Sequence, residues 1–378
     1  MDGAAFLDLC EKIGIDFYTG VPDSQLKGLC DTLYNRYGTE GTRHIVAANE
    51  GNAVGLAAGH YLATGHPALV YMQNSGLGNA VNPLASLMDE RVYSLPALLV
   101  IGWRGEPGVH DEPQHARQGE ITLGQLELLE IPYFLLSADD TPKTVEGMLQ
   151  EAAHWLEQGR MAAIVVRKNG LTCSEGARYR HEAAMTREQA LAIVAEAAGE
   201  EAVLVSTTGK LSRELFELRE SRGTGHGQDF LTVGSMGHAS SIALGIALSR
   251  PEKTVWCLDG DGAALMHLGA MSVIAQKQPK NLRHVVFNNA AHESVGGMPV
   301  NNGNFRPADS AVACGYPYVS IAGNEEELKA ALKEMPREGL CFLEVDCALG
   351  ARADLGRPTT TPRENRDAFM KFLQEKEQ

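Results

Sequence analysis

No apolar run in this sequence of 378 residues reaches the length of about 18 residues that a membrane-spanning helix requires. The first residues also lack the charged start and the apolar segment of a secretory signal. Basic residues are scarce, since 33 Lys and Arg stand against 48 Asp and Glu, giving a net charge of −15. This charge argues against nucleic acid and anionic membranes as partners, and an anionic substrate would need a local cationic pocket.

The cysteines offer no disulfide framework. Their number is odd, they form no C-x-x-C pair, and several lie inside apolar runs. They are Cys10, Cys30, Cys173, Cys257, Cys314, Cys341 and Cys347. We therefore expect reduced core residues and a cytoplasmic location.

The common nucleotide-binding motifs are missing as well. Gly209-Lys210 resembles the end of a P-loop, but Leu204 stands where that motif needs its first glycine. Gly76-Leu77-Gly78 does not continue into the third glycine of a dinucleotide-binding turn. Neither motif therefore predicts a nucleotide site.

The composition is that of a globular enzyme, with 44% apolar and 21% charged residues, and the length suits two domains. Strand-like apolar runs alternate with helix-like segments in both halves, which predicts parallel sheets. The strand-like runs cover residues 16–19, 44–47, 68–71, 97–101, 162–166, 203–205, 255–258, 284–287 and 341–345. The fold class is therefore α/β, with two doubly wound, mostly parallel sheet domains at 1–168 and 186–378 and a polar linker at 169–185. A capping box at Thr361 to Glu364 predicts a C-terminal helix.

Two short motifs at strand ends carry the chemistry. Gly260-Asp261-Gly262 follows the apolar run 255–258, and the pair Asn288-Asn289 follows the run 284–287. Open α/β sheets bind ligands at the carboxyl ends of their strands, and the glycines let backbone N–H groups approach phosphate oxygens. Either motif alone is usually a turn or a loop cap. Together they predict that Asp261 and Asn289 hold a hard cation such as Mg²⁺ against a diphosphate.

This spacing resembles the signature of thiamine-diphosphate-dependent enzymes. The resemblance implies that Asp261, Asn289 and the backbone carbonyl of Ala291 bind Mg²⁺. It also implies that Glu50, in an apolar strand-to-helix turn, faces the aminopyrimidine ring of the cofactor. A first-turn Glu that only favours the helix dipole is the alternative for Glu50. The implied cofactor-binding set is Glu50, Thr208, Gly234, Ser235, Met236, Gly260, Asp261, Gly262, Ala263 and Asn289.

Within that set, the segment from Val233 to Gly237 resembles the part of the family that bends the cofactor. The carbonyl group of Gly234 would accept from the cofactor amino group, and Met236 would support the bend. A Met in a glycine-rich turn is otherwise usually a core residue. Thr207 and Thr208 would lie near the diphosphate.

Nearly the whole chain resembles the phosphonopyruvate decarboxylases, a family of thiamine-diphosphate-dependent 2-oxo acid decarboxylases. The segments that carry the resemblance are 17–24, 49–53, 102–108, 111–115, 234–238, 292–297 and 354–359. The resemblance implies a pyrimidine-binding domain, a diphosphate-binding domain and no middle domain. It also implies a homodimer or higher homo-oligomer, because the two domains that clamp one cofactor come from different chains.

The implied reaction is the decarboxylation of 3-phosphonopyruvate to phosphonoacetaldehyde and CO₂. Glu50, His115 and His292 are the predicted catalytic residues. The predicted substrate contacts are Ser24, Arg104, Gln114, His115, His238 and His292, and Lys210 and Arg213 are further candidates for the cationic pocket. The alternative for each of these basic side chains, taken alone, is a solvated surface residue.

Two positions depart from the family pattern. Ala290 stands where glycine often follows the Asn pair, which the turn tolerates if it needs no positive φ. Met298-Pro299-Val300 replaces a Gln-Pro-Thr segment and removes polar groups from the presumed pocket. Three alternatives remain: a decarboxylase of sulfopyruvate or a related anionic 2-oxo acid, a carboligating transferase that uses the same cofactor, and a non-catalytic protein that binds it.

Overall fold

The computed structural model describes residues 1–300 and 304–374. These residues form two compact units. Unit 1 contains Met1–Tyr179 and a short segment that starts at Val295, and unit 2 contains Arg180–Ser294 and the C-terminal residues. The domain and linker limits that we expect from composition stay predictions.

Unit 1 alternates strands and helices from its first residues onwards. Its strands are β1 (Tyr18–Gly20), β2 (His44–Val46), β3 (Ala68–Gln73), β4 (Ala97–Gly102), β5 (Tyr133–Leu136) and β6 (Ala162–Val166). Its helices are α1 (Gly3–Lys12), α2 (Lys27–Tyr37), α3 (Glu50–Thr64), α4 (Leu77–Asn82), α5 (Pro113–Leu128) and α6 (Pro142–Glu157). A 3₁₀ turn (Asn74–Gly76) precedes α4, and a π-helical turn (Pro83–Met88) follows it.

The strands of unit 1 form one six-stranded parallel sheet in the order β2-β1-β3-β4-β6-β5. Helices cover both faces, so the central strands are buried on both sides and contain almost only apolar residues. In β4, for example, Leu98 and Val100 face one core, whereas Leu99 and Ile101 face the other. Alternation along the strand thus divides one apolar run between two cores.

Unit 2 repeats this alternation. Its strands are β7 (Val203–Ser206), β8 (Asp229–Leu231), β9 (Val255–Gly260), β10 (Leu282–Asn288), β11 (Tyr318–Ala322) and β12 (Cys341–Asp346). Its helices are α7 (Arg187–Ala198), α8 (Lys210–Arg222), α9 (Ala239–Ser249), α10 (Asp261–Met266), α11 (Gly269–Lys277), α12 (Pro307–Cys314), α13 (Glu325–Glu334) and α14 (Pro362–Gln374). A 3₁₀ turn (Glu293–Val295) follows β10.

The second sheet has the order β11-β12-β10-β9-β7-β8, and all its pairs are parallel. Numbered within its own unit, each sheet therefore has the same strand order, 2-1-3-4-6-5. The predicted class of two doubly wound parallel sheets is confirmed. The described residues contain no third sheet, so this part of the chain has no middle domain.

Three strands were not predicted from the sequence, namely β5, β8 and β11. All three lie at the edges of their sheets. An edge strand pairs on one side only, so its residues are less buried, and β5 and β11 each contain mostly half-buried positions. β8 begins with Asp229 and β11 contains Ser320, so neither is a continuous apolar run, whereas β5 is apolar throughout and the fourth edge strand, β2, was predicted.

Several helices start where a side chain caps the first turn. In α14, the predicted capping box is present, because Thr361 Oγ1 accepts from the N–H of Glu364 and the Glu364 carboxylate accepts from the N–H of Thr361. Asn49 caps α3 in a related way by accepting from the N–H of Asn52. This cap fixes the point at which Glu50 enters its helix. All seven cysteines are free, and no helix among the described residues is long and apolar enough to cross a membrane.

Candidate active site

Asp261 lies at the carboxyl end of β9, as its position after an apolar run predicts, and it is the first residue of α10. Its side chain is buried, and Oδ2 has no hydrogen-bond partner among the described residues. Burial raises the pKa of this carboxyl to about 7, although the backbone N–H groups of Gly262, Ala290 and Ala291 favour the ionised form. A buried carboxylate oxygen without a partner is costly, and a bound cation would remove that cost. The site therefore fits a metal ion.

Asn289 follows β10 and is also buried. Its Oδ1 accepts from the N–H of Ala291 at 3.2 Å, and its Nδ2 donates to Glu293 Oε2 at 2.7 Å. The carbonyl oxygen of Ala291 accepts from the N–H of Glu293 at 2.8 Å and keeps a second lone pair. The three predicted metal ligands thus lie in two turns at the ends of adjacent strands.

The turn after β10 contains an unfavourable backbone conformation. Ala290 has a φ of 54°, in the left-handed region where a residue with a Cβ is strained by about 1–2 kcal/mol. We expect alanine to be tolerated here if the turn needs no positive φ. The turn has a positive φ at this position, so Ala290 is strained. The N–H of Ala290 donates to Asn288 Oδ1 at 3.0 Å, so the first Asn of the pair helps to hold this turn.

The predicted diphosphate-binding residues flank two adjacent strands of unit 2. Thr207 and Thr208 follow β7, the glycine-rich turn follows β9, and the two strands are paired directly. They are the first and third strands of the unit, which places both turns at a topological switch point, where open α/β sheets bind ligands. A Cβ at Gly260 would meet no atom within 4 Å, so the space beside this backbone is open. Gly262 and Ala263 continue the same turn and are buried.

The segment from Gly234 to Gly237 forms a turn in which most residues have a left-handed backbone conformation. Gly234, Ser235 and Gly237 all have positive φ, with values of 71°, 46° and 86°. The N–H of Gly234 donates to Thr208 Oγ1 at 3.1 Å, which joins this segment to the turn after β7. Met236 is half-buried, so its role at the bend of a cofactor stays a prediction.

The cationic candidates of unit 2 already have partners. Lys210 Nζ lies 2.9 Å from Glu293 Oε1, and Arg213 donates to the backbone carbonyl groups of Leu355 and Gly356. The exposed ring of His238 lies against that of His267, with 4.4 Å between centroids. None of these contacts was visible in the sequence, because each partner is distant along the chain or belongs to a different element.

His292 is the one predicted catalytic residue that lies in unit 2, and it is buried. Burial lowers its pKa to about 4, and its buried Nδ1 has no hydrogen-bond partner within residues 1–300 and 304–374. The imidazole is therefore neutral near pH 7, and one ring nitrogen is available to a ligand or to water.

In unit 1, Glu50 is the first residue of α3 and is buried. Its Oε2 accepts from Asn79 Nδ2 at 2.8 Å. A Cβ at Gly76 would lie 2.5 Å from Glu50 Oε1, so only glycine leaves room for the carboxyl group there. The glycine-rich turn after β3 therefore forms one wall around Glu50, a relation that the sequence did not reveal.

Arg104 follows β4 and binds Asp111 with two nitrogens, while its Nη1 donates to Ser24 Oγ at 2.8 Å. Hydrogen bonds to Asp111 raise the pKa of the guanidinium. Burial acts against ionisation of Asp111, but the contacts with Arg104 and the N–H groups of Glu112 and Gly105 hold its pKa below the usual range. The structure thus brings the predicted residues Ser24 and Arg104 together. It also shows that Asp111 already neutralises the arginine charge.

Asp23 is a residue of this region that the sequence analysis did not select. It is fully buried, and its oxygens accept from Gln73 Nε2 at 2.6 Å and from the N–H of Gln25 at 3.1 Å. Burial raises its pKa to about 6, whereas these hydrogen bonds and Arg104 lower it. An acidic residue inside an apolar turn, Val21-Pro22-Asp23, was the available signal.

His115 and Gln114 lie in the first turn of α5 and are half-buried. Burial lowers the pKa of His115, and the nearby Arg104 adds to this effect. His115 Nδ1 is buried, and none of the residues that the structure describes makes a hydrogen bond to it. Gln114 therefore has a neutral histidine beside it along the helix.

Comparison with known proteins identifies the two halves. Residues 2–128 match the family described as thiamine pyrophosphate enzyme, N-terminal TPP binding domain, and residues 207–345 match its C-terminal TPP binding domain. Thiamine pyrophosphate is another name for thiamine diphosphate. These matches, together with the two sheets and the turns described above, define the class as thiamine-diphosphate-dependent enzymes.

Full-length relatives narrow this class. The chain is 34% identical to the phosphonopyruvate decarboxylase of Streptomyces hygroscopicus and 33% identical to that of Streptomyces viridochromogenes, covering 96% of this chain and 92% of each relative. It is 29% identical to the sulfopyruvate decarboxylase of Methanosarcina acetivorans, over 77% of this chain and 76% of that protein. The chain belongs to the phosphonopyruvate decarboxylase family, and it is a carboxy-lyase.

Proposed function

We propose that this protein decarboxylates 3-phosphonopyruvate to phosphonoacetaldehyde and CO₂, with thiamine diphosphate and Mg²⁺. The observation that carries the proposal is the buried Asp261 at the switch point of unit 2, whose Oδ2 has no hydrogen-bond partner in the part of the chain that the structure describes. The names of the two relatives with the widest coverage support the substrate.

Asp261, Asn289 and the carbonyl group of Ala291 would hold Mg²⁺. Thr208, Gly260, Gly262 and Ala263 would line the diphosphate, and Gly234, Ser235 and Met236 would support the bent cofactor. When bound there, thiamine diphosphate would supply a nucleophilic carbon for the keto group and an electron sink for the pair released with CO₂.

The proposed role of Glu50 is to exchange a proton with the aminopyrimidine ring. Its burial and the close wall at Gly76 support this role, because they exclude water from most of the carboxyl group. Asn79 holds the other oxygen, Oε2, in a fixed direction. His115 and His292 are proposed to move protons at the substrate, and their lowered pKa values leave both rings neutral and able to accept a proton near pH 7.

Ser24, Arg104, Gln114 and His238 are proposed to contact the substrate with the two histidines. The Arg104–Asp111 pair supports a recognition role based on a fixed set of donors rather than on free charge. A substrate with several negative charges would then be bound mainly by directed hydrogen bonds.

Turnover with defined substrates tests this proposal. CO₂ release should require both Mg²⁺ and thiamine diphosphate, and 3-phosphonopyruvate should give a higher kcat/KM than sulfopyruvate. A preference for sulfopyruvate would favour the second candidate, which the similarity to the sulfopyruvate decarboxylase of Methanosarcina acetivorans supports. Adding an aldehyde acceptor tests the carboligating alternative, since new carbon–carbon products would appear in place of phosphonoacetaldehyde.

We also propose that the protein works as a homodimer or higher homo-oligomer. If each cofactor is held by two chains, co-expressed Glu50→Gln and Asp261→Asn chains should restore activity. Half of the dimers would be mixed, and one of their two sites would be intact, giving about a quarter of the wild-type activity per chain. Activity no higher than that of the single variants would contradict a site shared in this way.

A further inference from the structure

Glu293 lies in the 3₁₀ turn that follows the predicted metal ligands, and it was not selected as a site residue. Its side chain is 8% exposed and contacts three polar groups. Oε2 accepts from Asn289 Nδ2 at 2.7 Å, Oε1 lies 2.9 Å from Lys210 Nζ, and Arg187 Nη1 also pairs with Oε2. A largely buried carboxylate thus connects a predicted metal ligand to two cations.

These contacts determine the orientation of the Asn289 amide. An ionised carboxylate only accepts hydrogen bonds, so Glu293 must face Nδ2. The N–H of Ala291 only donates, so it must face Oδ1, and it lies 3.2 Å from that atom. A flipped amide would place two donors together at one end and two acceptors at the other.

Glu293 is in turn held by α7 and α8. Arg187, the first residue of α7, also binds Glu214 of α8 with two nitrogens at 2.7 and 2.6 Å. Lys210, the first residue of α8, pairs with the other oxygen of Glu293. Because both cations are fixed by helices that pack in unit 2, the carboxylate has little freedom to leave Asn289.

We propose that Glu293 is a positioning residue that directs the oxygen of Asn289, rather than its nitrogen, towards the bound cation. This proposal rests on the metal site of the proposed function. It deepens that function by assigning to Arg187, Glu293 and Lys210 a role in the affinity for Mg²⁺. Partners behind metal ligands commonly have this effect.

The test is a titration of Mg²⁺ into metal-free protein at saturating thiamine diphosphate, followed by calorimetry. Glu293→Leu, which removes the acceptor but fills the space, should raise the Mg²⁺ dissociation constant about ten- to hundredfold. Glu293→Gln keeps an acceptor oxygen and should have a smaller effect. Saturating Mg²⁺ should restore most of the turnover in both variants, which a general loss of structure would not allow.

Glu220→Gln is the matched control, because it removes one negative charge from an exposed position of α8. Its Mg²⁺ affinity should equal that of the wild type. An unchanged Mg²⁺ affinity in a folded Glu293→Leu protein would overturn the proposal. If that variant does not fold, an unchanged affinity in both Glu293→Gln and Lys210→Gln would overturn it equally. A wild-type protein that binds no Mg²⁺ would instead reject the metal site of the proposed function.

Discussion

The two units have the same strand order, yet the turns after their third and fourth strands differ in one decisive way. In unit 2 these turns follow β9 and β10 and contain Asp261 and Asn289. One carboxylate oxygen of Asp261, Oδ2, has no hydrogen-bond partner among the described residues. In unit 1 the equivalent turns follow β3 and β4 and contain Asn74 and Arg104.

In unit 1 the two turns are joined by hydrogen bonds between Asn74 and Arg104. Asn74 Nδ2 donates to the carbonyl oxygen of Arg104 at 2.8 Å and contacts Thr122 Oγ1 at the same distance. The N–H of Arg104 donates back to Asn74 Oδ1 at 3.2 Å. Both units therefore have the same pair of turns after their third and fourth strands. The side chains in these turns determine whether the pair is a closed junction or an open ligand site. The proton transfers proposed for unit 1 belong instead to Glu50, after the second strand, and to His115 in α5.

The largest expected effect tests this division within unit 1. Glu50→Gln should lower kcat by about 10²–10⁴-fold, because the carboxyl group would no longer exchange a proton, while the cofactor should still bind. Asn74→Ala should instead affect stability. It should lower the free energy of unfolding by about 1–3 kcal/mol, because buried groups lose their hydrogen-bond partners. Turnover, cofactor titration and urea unfolding of both variants check the comparison. An active Glu50→Gln enzyme would contradict the proposed role.

Asp261→Asn tests the open site of unit 2. Its Mg²⁺ affinity should fall by more than the roughly hundredfold loss that an outer partner can cause, because a direct ligand loses its charge. Without Mg²⁺, however, the variant should unfold at higher urea, with a gain of about 1–3 kcal/mol from removing the charge of a buried carboxylate whose Oδ2 has no hydrogen-bond partner among the described residues. Urea unfolding with and without Mg²⁺ measures both effects. Lower stability of the metal-free variant would show that the carboxylate is satisfied without a cation.

Asp23 provides the pH-dependent contrast, because it is a buried carboxyl with both oxygens paired. Its pKa is raised from 3.8 to about 6, so the folded state binds its proton more tightly than the unfolded state does. The tighter proton binding adds about 3 kcal/mol to the free energy of unfolding. This contribution is fully present below about pH 4 and is lost as the pH rises through 6. Relative to wild type, Asp23→Asn should therefore gain stability across this range. Parallel unfolding curves for the two proteins from pH 4 to pH 7 would refute this expectation.

The smallest expected effect concerns the strained turn of unit 2. Ala290→Gly should raise the free energy of unfolding by about 0.5–1 kcal/mol, because relief of the left-handed strain exceeds the entropy cost of glycine. Mg²⁺ affinity should change little, since the side chains of Asn288 and Asn289 still hold the turn. Thermal unfolding and the same Mg²⁺ titration measure this. A loss of stability would mean that the alanine methyl group makes contacts that outweigh the strain.

The sequence predicts the central part of each sheet well. Buried parallel strands are continuous apolar runs, so β3, β4, β9 and β10 could be located, and with them the turns that contain Asp261 and Asn289. The edge strands β8 and β11 were missed, because each contains a polar residue and pairs on one side only, so neither shows a continuous apolar run. Burial does not account for the other two edge strands, since β2 was predicted and β5, which is apolar throughout, was missed.

Partners of the site residues were beyond prediction for a different reason. Asp111 neutralises Arg104, and Glu293 accepts from both Asn289 and Lys210, but such pairs depend on how loops and helices meet in space. Sequence shows that Lys210 is a cation near a predicted turn. It does not show that Lys210 already pairs with the carboxylate of Glu293, which lies more than 80 residues away in the chain. The residues of the site could therefore be named before their charge balance was known.

Met298 has a consequence for how the protein is made. It is 1% exposed in a core cluster of unit 1, together with Phe6, Leu29 and Tyr71, although it follows the larger part of unit 2, Arg180–Ser294, in the chain. Burial of a methionine side chain contributes about 1.5–3 kcal/mol. On the ribosome, unit 1 would therefore emerge with a hole in its core and acquire its last core residue only after the greater part of unit 2 has been synthesised. Maturation of the first half is in this way delayed by translation of the second.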